Sequence, residues 1–172
     1  MAQIAANPWS FVAADAATTL ALTSIVNQGE SLLVTSAAHG FAVGSSGQAI
    51  SLQGGTIGNY AGGYRVVNVP SATTVLLQNQ MKNRGLANTG ATGNMLTPAA
   101  YLDMIRAEQI LWSPQAAGDT LSLTDVFGNL VWKPTSAAAP PIGPYTYGKV
   151  FWIRGLVINT FTGSGTLQIT IN

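Results

Sequence analysis

His39 and six carboxylates, Asp15, Glu30, Asp103, Glu108, Asp119 and Asp125, are the groups in this 172-residue chain best suited to general acid–base chemistry near neutral pH. A pair of those carboxylates could in principle serve as the acid and base of a glycosidase. Their positions argue otherwise. Asp119 follows Gly118 just before a strand-like run, Asp125 precedes a "VFGN" turn, and Asp15 and Glu30 flank turns. The chain is rich in serine, yet no G-x-S-x-G elbow is present to present a nucleophile. His39 lies in "AAHGF", between a strand and a glycine turn, where an imidazole fixes loop backbone. One histidine and scattered carboxylates have no metal-ligand spacing, and with no cysteine there is neither a disulfide nor a thiolate site. The reading is therefore of no catalytic residue, no metal ligand and no cofactor.

"GGTIGNYAGGY" has the look of a phosphate-cradling loop, but Gly54, Gly55, Gly58, Gly62 and Gly63 do not follow the G-x-G-x-x-G spacing. No helix-opening Lys-Ser or Lys-Thr follows them either. Glycine here supplies positive φ in turns, with Tyr60 and Tyr64 packed alongside; Tyr60 is expected at an exposed tip. The aromatic residues are the remaining resource. Trp112, Trp132 and Trp152 fall in strand runs that suit a core. Trp9, Phe11, Tyr60, Tyr145 and Tyr147 lie in or beside irregular segments and are the candidates for contacts between chains.

Composition bears on partners. Hydrophobic residues make up 47% of the chain and charged residues only 8%, against roughly a quarter charged in an ordinary soluble domain. A surface so poor in charge favours cover by a partner or by copies of the same chain. Net charge is +1 and no basic run occurs, which argues against a phosphate-neutralising nucleic-acid binder. No apolar span reaches 18 residues, so no transmembrane helix is expected, and the N-terminus lacks the features of a signal peptide.

The elements that must position these residues read as β. Short apolar runs, many alternating, are separated by Gly-, Pro- and Asn-rich turns about every 8–12 residues. Residues 1–17 form an N-terminal arm and first strand, with residues 1–9 flexible. Residues 18–81 form a glycine-rich β lobe, and 82–98 a polar linker or loop. Residues 99–172 form a C-terminal β lobe. The pattern over 99–104 leaves a short helix and a strand both open, and 105–112 favours a strand. Gly155 marks a bulge within "KVFWIRGLVINTF", a run apolar on both faces from Val150 to Ile158. The fold class is all-β with little helix: a small barrel or sandwich lobe plus a second, jelly-roll-like sandwich lobe.

Two stretches carry a resemblance. The first combines His39-Gly40-Phe41, Val43-Gly44, Gly54, Tyr60, Tyr64-Arg65-Val66 and Ala72-Thr73-Thr74. This order resembles a module of tailed-bacteriophage virion proteins, with Ser45 where an Asp usually follows the Val-Gly turn. The second combines Trp112, Gly118-Asp119, Asp125, Gly128, Trp132, Gly155 and Ser164-Gly165, and is similar to small phage structural proteins. Together they cover somewhat under two thirds of the chain. The resemblance implies a virion component assembled in the host cytoplasm. A capsid decoration (cement) protein that binds the major capsid protein is the first expectation, with a homo-oligomer, a trimer favoured, and no nucleic acid or membrane as partner. A tail or fibre accessory that binds host glycan is the alternative.

Overall fold

The computed structural model describes residues 7–80, 85, 91–137 and 144–172. The parts of the arm, the linker and the proline-rich segment that fall at 1–6, 81–84, 86–90 and 138–143 lie outside the described residues. The rest is all-β, in two lobes: thirteen strands joined by turns and loops, with two 3-10 turns and no α-helix among the described residues.

The first lobe is a closed six-stranded barrel. Its strands are β2 (Thr18–Asn27), β3 (Ser31–Ser36), β4 (Ala49–Gln53), β5 (Gly62–Ser71), β6 (Thr74–Gln78) and β7 (Gly93–Thr97). They close in the order β2-β3-β6-β5-β4-β7, with β7 pairing back onto β2. The period of two places alternate side chains inside; in β3, Leu32 and Val34 are fully buried while their neighbours are half-buried. The Pro-Ser-Ala link yields the expected hairpin, with Ser71 opposite Thr74. Gly93–Thr97 corrects the linker reading. That segment is short and polar by composition, but Met95 and Leu96 are buried and the strand closes the barrel between β2 and β4.

The second lobe is a seven-stranded sheet. The strands along its path are β1 (Trp9–Phe11), β13 (Thr166–Ile171), β8 (Tyr101–Ser113), β12 (Phe151–Phe161), β9 (Leu121–Thr124) and β10 (Leu130–Trp132), in that order. Strand β11 (Tyr145–Tyr147) pairs with the C-terminal part of β8. The sides of these strands that turn inward share one core, which includes Phe11, Ile110, Trp112, Leu121, Leu123, Ile158, Leu167 and Ile169. β8 is strand from Tyr101 onward, so the helical alternative over 99–104 is not taken. β12 pairs with this end of β8, Leu156 opposite Tyr101 and Arg154 opposite Met104, and satisfies backbone groups that an isolated helical turn would leave open.

The N-terminal segment is not a free arm over the described residues. β1 pairs in register with β13, Trp9 opposite Ile169 and Phe11 opposite Leu167. Pro8 has no N–H to offer this ladder. The Asn7 side chain extends it instead, donating to the Ile171 carbonyl at 2.7 Å and accepting from the Ile171 N–H at 3.1 Å. The sheet lobe is thus built from both ends of the chain, β1 and β8–β13, and the barrel is an insertion between them.

The two lobes are locked together. Ala17, Leu96, Ala99, Val126 and Val157 form a third apolar cluster at the junction. Backbone bonds run from Ala17 N–H to the Ile158 carbonyl at 2.7 Å and from Ala99 N–H to the Ala49 carbonyl at 2.9 Å. This junction accounts for the second half of the run that is apolar on both faces, from Leu156 to Ile158; in the first half Val150 and Trp152 stay exposed. Ile153, Leu156 and Ile158 fill their own lobe's core, while Val157 faces the barrel. The switch of faces occurs at Gly155, where the β12–β8 register shifts and φ is +71°. A Cβ there would collide with Val126 Cγ1 and approach the Tyr101 carbonyl to 2.9 Å.

Candidate functional site

The Asp125–Asn129 turn between β9 and β10 organises the surface with most chemical variety. The Asp125 carboxylate is buried, and all of its hydrogen bonds but the one from Arg154 come from within four residues. Its Oδ1 accepts from the Phe127 and Asn129 N–H groups, both at 2.9 Å. Its Oδ2 accepts from Asn129 Nδ2 at 2.8 Å and from an Arg154 guanidinium N–H at 3.4 Å. Arg154 also lies over the Phe127 ring, 4.6 Å from its centroid. Asp125 therefore holds an amide and a guanidinium in fixed positions on the outer side of the sheet.

A cleft of about 400 Å³ opens there. β9 pairs with β12 from Val157 to Phe161. The Val126 N–H still reaches the Arg154 carbonyl at 3.0 Å. Beyond that bond the cleft separates β10 from the first residues of β12. Leu130 and Val131 line one wall, Phe151, Trp152 and Arg154 the other, with Tyr147 also lining it and Asp125 contributing its carboxylate. Tyr147 is pinned between Trp132, 6.1 Å away, and Phe151, which meets it edge-on at 5.1 Å. Trp152 is 65% exposed, although its strand run suggested a core position. Of the other two strand tryptophans, Trp112 is fully buried and Trp132 half-buried.

The residues expected at interfaces divide. Trp9 and Phe11 are buried in the sheet lobe's core, Trp9 with its ring 5.0 Å from that of Tyr101. Tyr60 is not an exposed tip: the 3-10 turn Gly58–Tyr60 folds it back into the barrel core, and its carbonyl accepts the Tyr64 hydroxyl at 2.7 Å. Tyr145 and Tyr147 are half-buried against the sheet, with Tyr145 5.4 Å from Trp112. Only Tyr147 among these five reaches the cleft. The sequence reading missed Trp152, Asn129 and Arg154. Its available signal was Arg154, two residues after Trp152, which marks that side of β12 as the solvent side.

The acid–base candidates are spread out. His39 is buried; its Nδ1 accepts the Phe41 N–H at 3.1 Å and its Nε2 lies 3.3 Å from the Thr74 carbonyl, so it fixes the loop as expected. Asp119 Oδ2 accepts from Gln115 and Ala116 N–H groups at 3.2 and 2.9 Å and caps that turn. Among the described residues, no three His, Asp or Glu side chains come together as a metal would require. A second, more apolar groove of about 240 Å³ lies at the lobe junction, lined by Gly63, Leu102, Met104, Val126 and Phe127 among others.

No family model matches the chain, and no curated protein or solved structure matches it either.

Proposed function

We propose that this chain is a structural protein of a tailed-phage particle, a head decoration (cement) protein that contacts the major capsid protein and copies of itself, a trimer being the favoured assembly. One observation carries the reading. Seven large apolar side chains, Val12, Val43, Val67, Met104, Leu130, Val150 and Trp152, stand exposed among the described residues of a chain with only 8% charged residues. They lie on a body whose two lobes are fixed by a packed junction, and Met104, 59% exposed, borders the apolar groove between those lobes. A rigid, weakly charged body with distributed apolar contacts suits repeated lattice binding. Apolar burial stabilises by about 25 cal/mol per Å² before ordering costs, and a preformed body keeps those costs low. The polar turns point the same way: Asp119, Asp125 and His39 are each engaged in holding loops.

The test is co-sedimentation with capsid shells that lack the protein, comparing wild type with Met104→Glu. Binding by wild type that falls about ten-fold or more in M104E, with an unchanged unfolding midpoint, supports the reading. A wild-type chain that stays monomeric and leaves every shell unbound overturns it. A tail or fibre accessory is the second reading, favoured by the aromatic cleft beside Tyr147.

A further inference from the structure

The geometry points to the Tyr147–Trp152 cleft as a saccharide-binding site that takes a neutral pyranose ring or a short run of them. The inference concerns the isolated chain and holds for either placement on the particle.

Four features converge on that ligand class. First, Trp152 presents a broad indole surface at 65% exposure from a strand paired to β8, where Trp152 sits opposite Arg106. An exposed indole beside a cleft offers an apolar face with a polar N–H at its edge, and the C–H face of a pyranose is an apolar surface of matching size. Second, Tyr147 is held by Trp132 and Phe151, so a second aromatic edge is set in place before any ligand arrives. Third, the cleft is polar at its base. Asn129 and Arg154 are both oriented by Asp125 Oδ2, through bonds of 2.8 and 3.4 Å. That leaves the Asn129 amide oxygen and further Arg154 N–H groups to meet ring hydroxyls, which donate and accept. Fourth, about 400 Å³ lies at the small end of the range for small-molecule sites, room for one or two rings.

The same residues disfavour other occupants. A purely apolar ligand would bury the Asn129 and Arg154 polar groups without partners. A phosphate or other compact anion would approach the Asp125 carboxylate, which already takes up the facing Arg154 charge. A neutral polyol with one apolar face satisfies both halves of the cleft.

The experiment is a saccharide array on purified wild-type chain, followed by titration calorimetry of the hits together with glucose, galactose, N-acetylglucosamine and sialic acid. Binding of at least one neutral sugar is expected at micromolar to millimolar concentration. Trp152→Ala should weaken it about ten-fold or more, and Asn129→Ala should weaken it as well. Because Trp152 is exposed, W152A should keep the wild-type unfolding midpoint; Asn129→Ala also removes the 2.8 Å bond to Asp125 Oδ2, so its binding is compared below its lower midpoint, on folded protein. Leu130→Ser, on the opposite wall, gives a second probe should either variant misfold. Three results would overturn the proposal: no saccharide bound by folded wild type, binding undiminished in folded W152A, or binding restricted to acidic sugars. None of them bears on shell binding, which Met104→Glu probes separately.

Discussion

The Ser51 hydroxyl, on barrel strand β4, donates a 2.6 Å hydrogen bond to the carbonyl of Val126, at the turn of the other lobe. Both residues are buried, and 75 positions separate them in sequence. Gln53 adds to the lock. Its side-chain amide donates to Ser51 Oγ at 2.9 Å and to the Asp125 carbonyl at 3.1 Å. The barrel and the sheet lobe are therefore joined by polar bonds in a water-poor setting, where an unmade bond is expensive.

Ser51→Ala removes the donor and leaves the Val126 carbonyl buried. A loss of about 1–3 kcal/mol is expected, read as a lower midpoint in urea unfolding followed by circular dichroism. Gln53→Ala should cost a similar amount, and the pair should be non-additive because the two side chains bond each other. An unchanged midpoint in S51A would mean that the lobes are not held at this point.

Gly155→Ala should destabilise by more than about 2 kcal/mol. The position combines positive φ with direct overlap against Val126 and the Tyr101 carbonyl. Thermal unfolding of the variant checks this. A neutral result would show that β12 can complete its change of face without the bulge.

Phe11→Ala should cost about 3–5 kcal/mol, the range for emptying an aromatic site in a packed core. Phe11 is 1% exposed. Were Trp9 and Phe11 part of a detachable arm, the same change would leave stability alone and weaken assembly only. Denaturant unfolding of the isolated chain separates the two outcomes.

Asp125→Ala strips the acceptor from two backbone N–H groups and from Asn129 and Arg154. A loss of about 2–3 kcal/mol is expected, with Asp125→Asn recovering part of it. His39→Ala, which releases the Phe41 N–H and the Thr74 carbonyl, should cost about 1 kcal/mol, less than D125A because fewer and uncharged bonds are lost. Chemical denaturation of the three variants gives the ranking, and equal losses for D125A and H39A would contradict it.

The strands were largely legible because their signal is local. Leu167, Ile169 and Ile171 alternate along β13, and Leu121 and Leu123 along β9. The turns were legible for the same reason: Asp119, Asp125 and His39 each act within a few residues of themselves in at least one bond. What could not be read was decided at long range. β7 looks like linker until its pairing with β2 and β4 buries Met95. β1 reads as a short strand that follows an arm, but its partner β13 lies more than 150 residues later and local pattern cannot name it. Trp152 and Trp112 occupy similar strand runs of one sheet, and only the face that each takes buries one and exposes the other. The cleft depends on the divergence of β10 from β12, which no sequence pattern marks.

Quantitative mass spectrometry of purified particles of the kind in which the proposal places this chain, with the major capsid protein as internal reference, tests the structural-protein reading most directly. The expected result is a fixed ratio to the major capsid protein that matches its lattice. A few copies per particle would move the chain to the tail or fibre, and its absence from the particle would contradict the reading altogether.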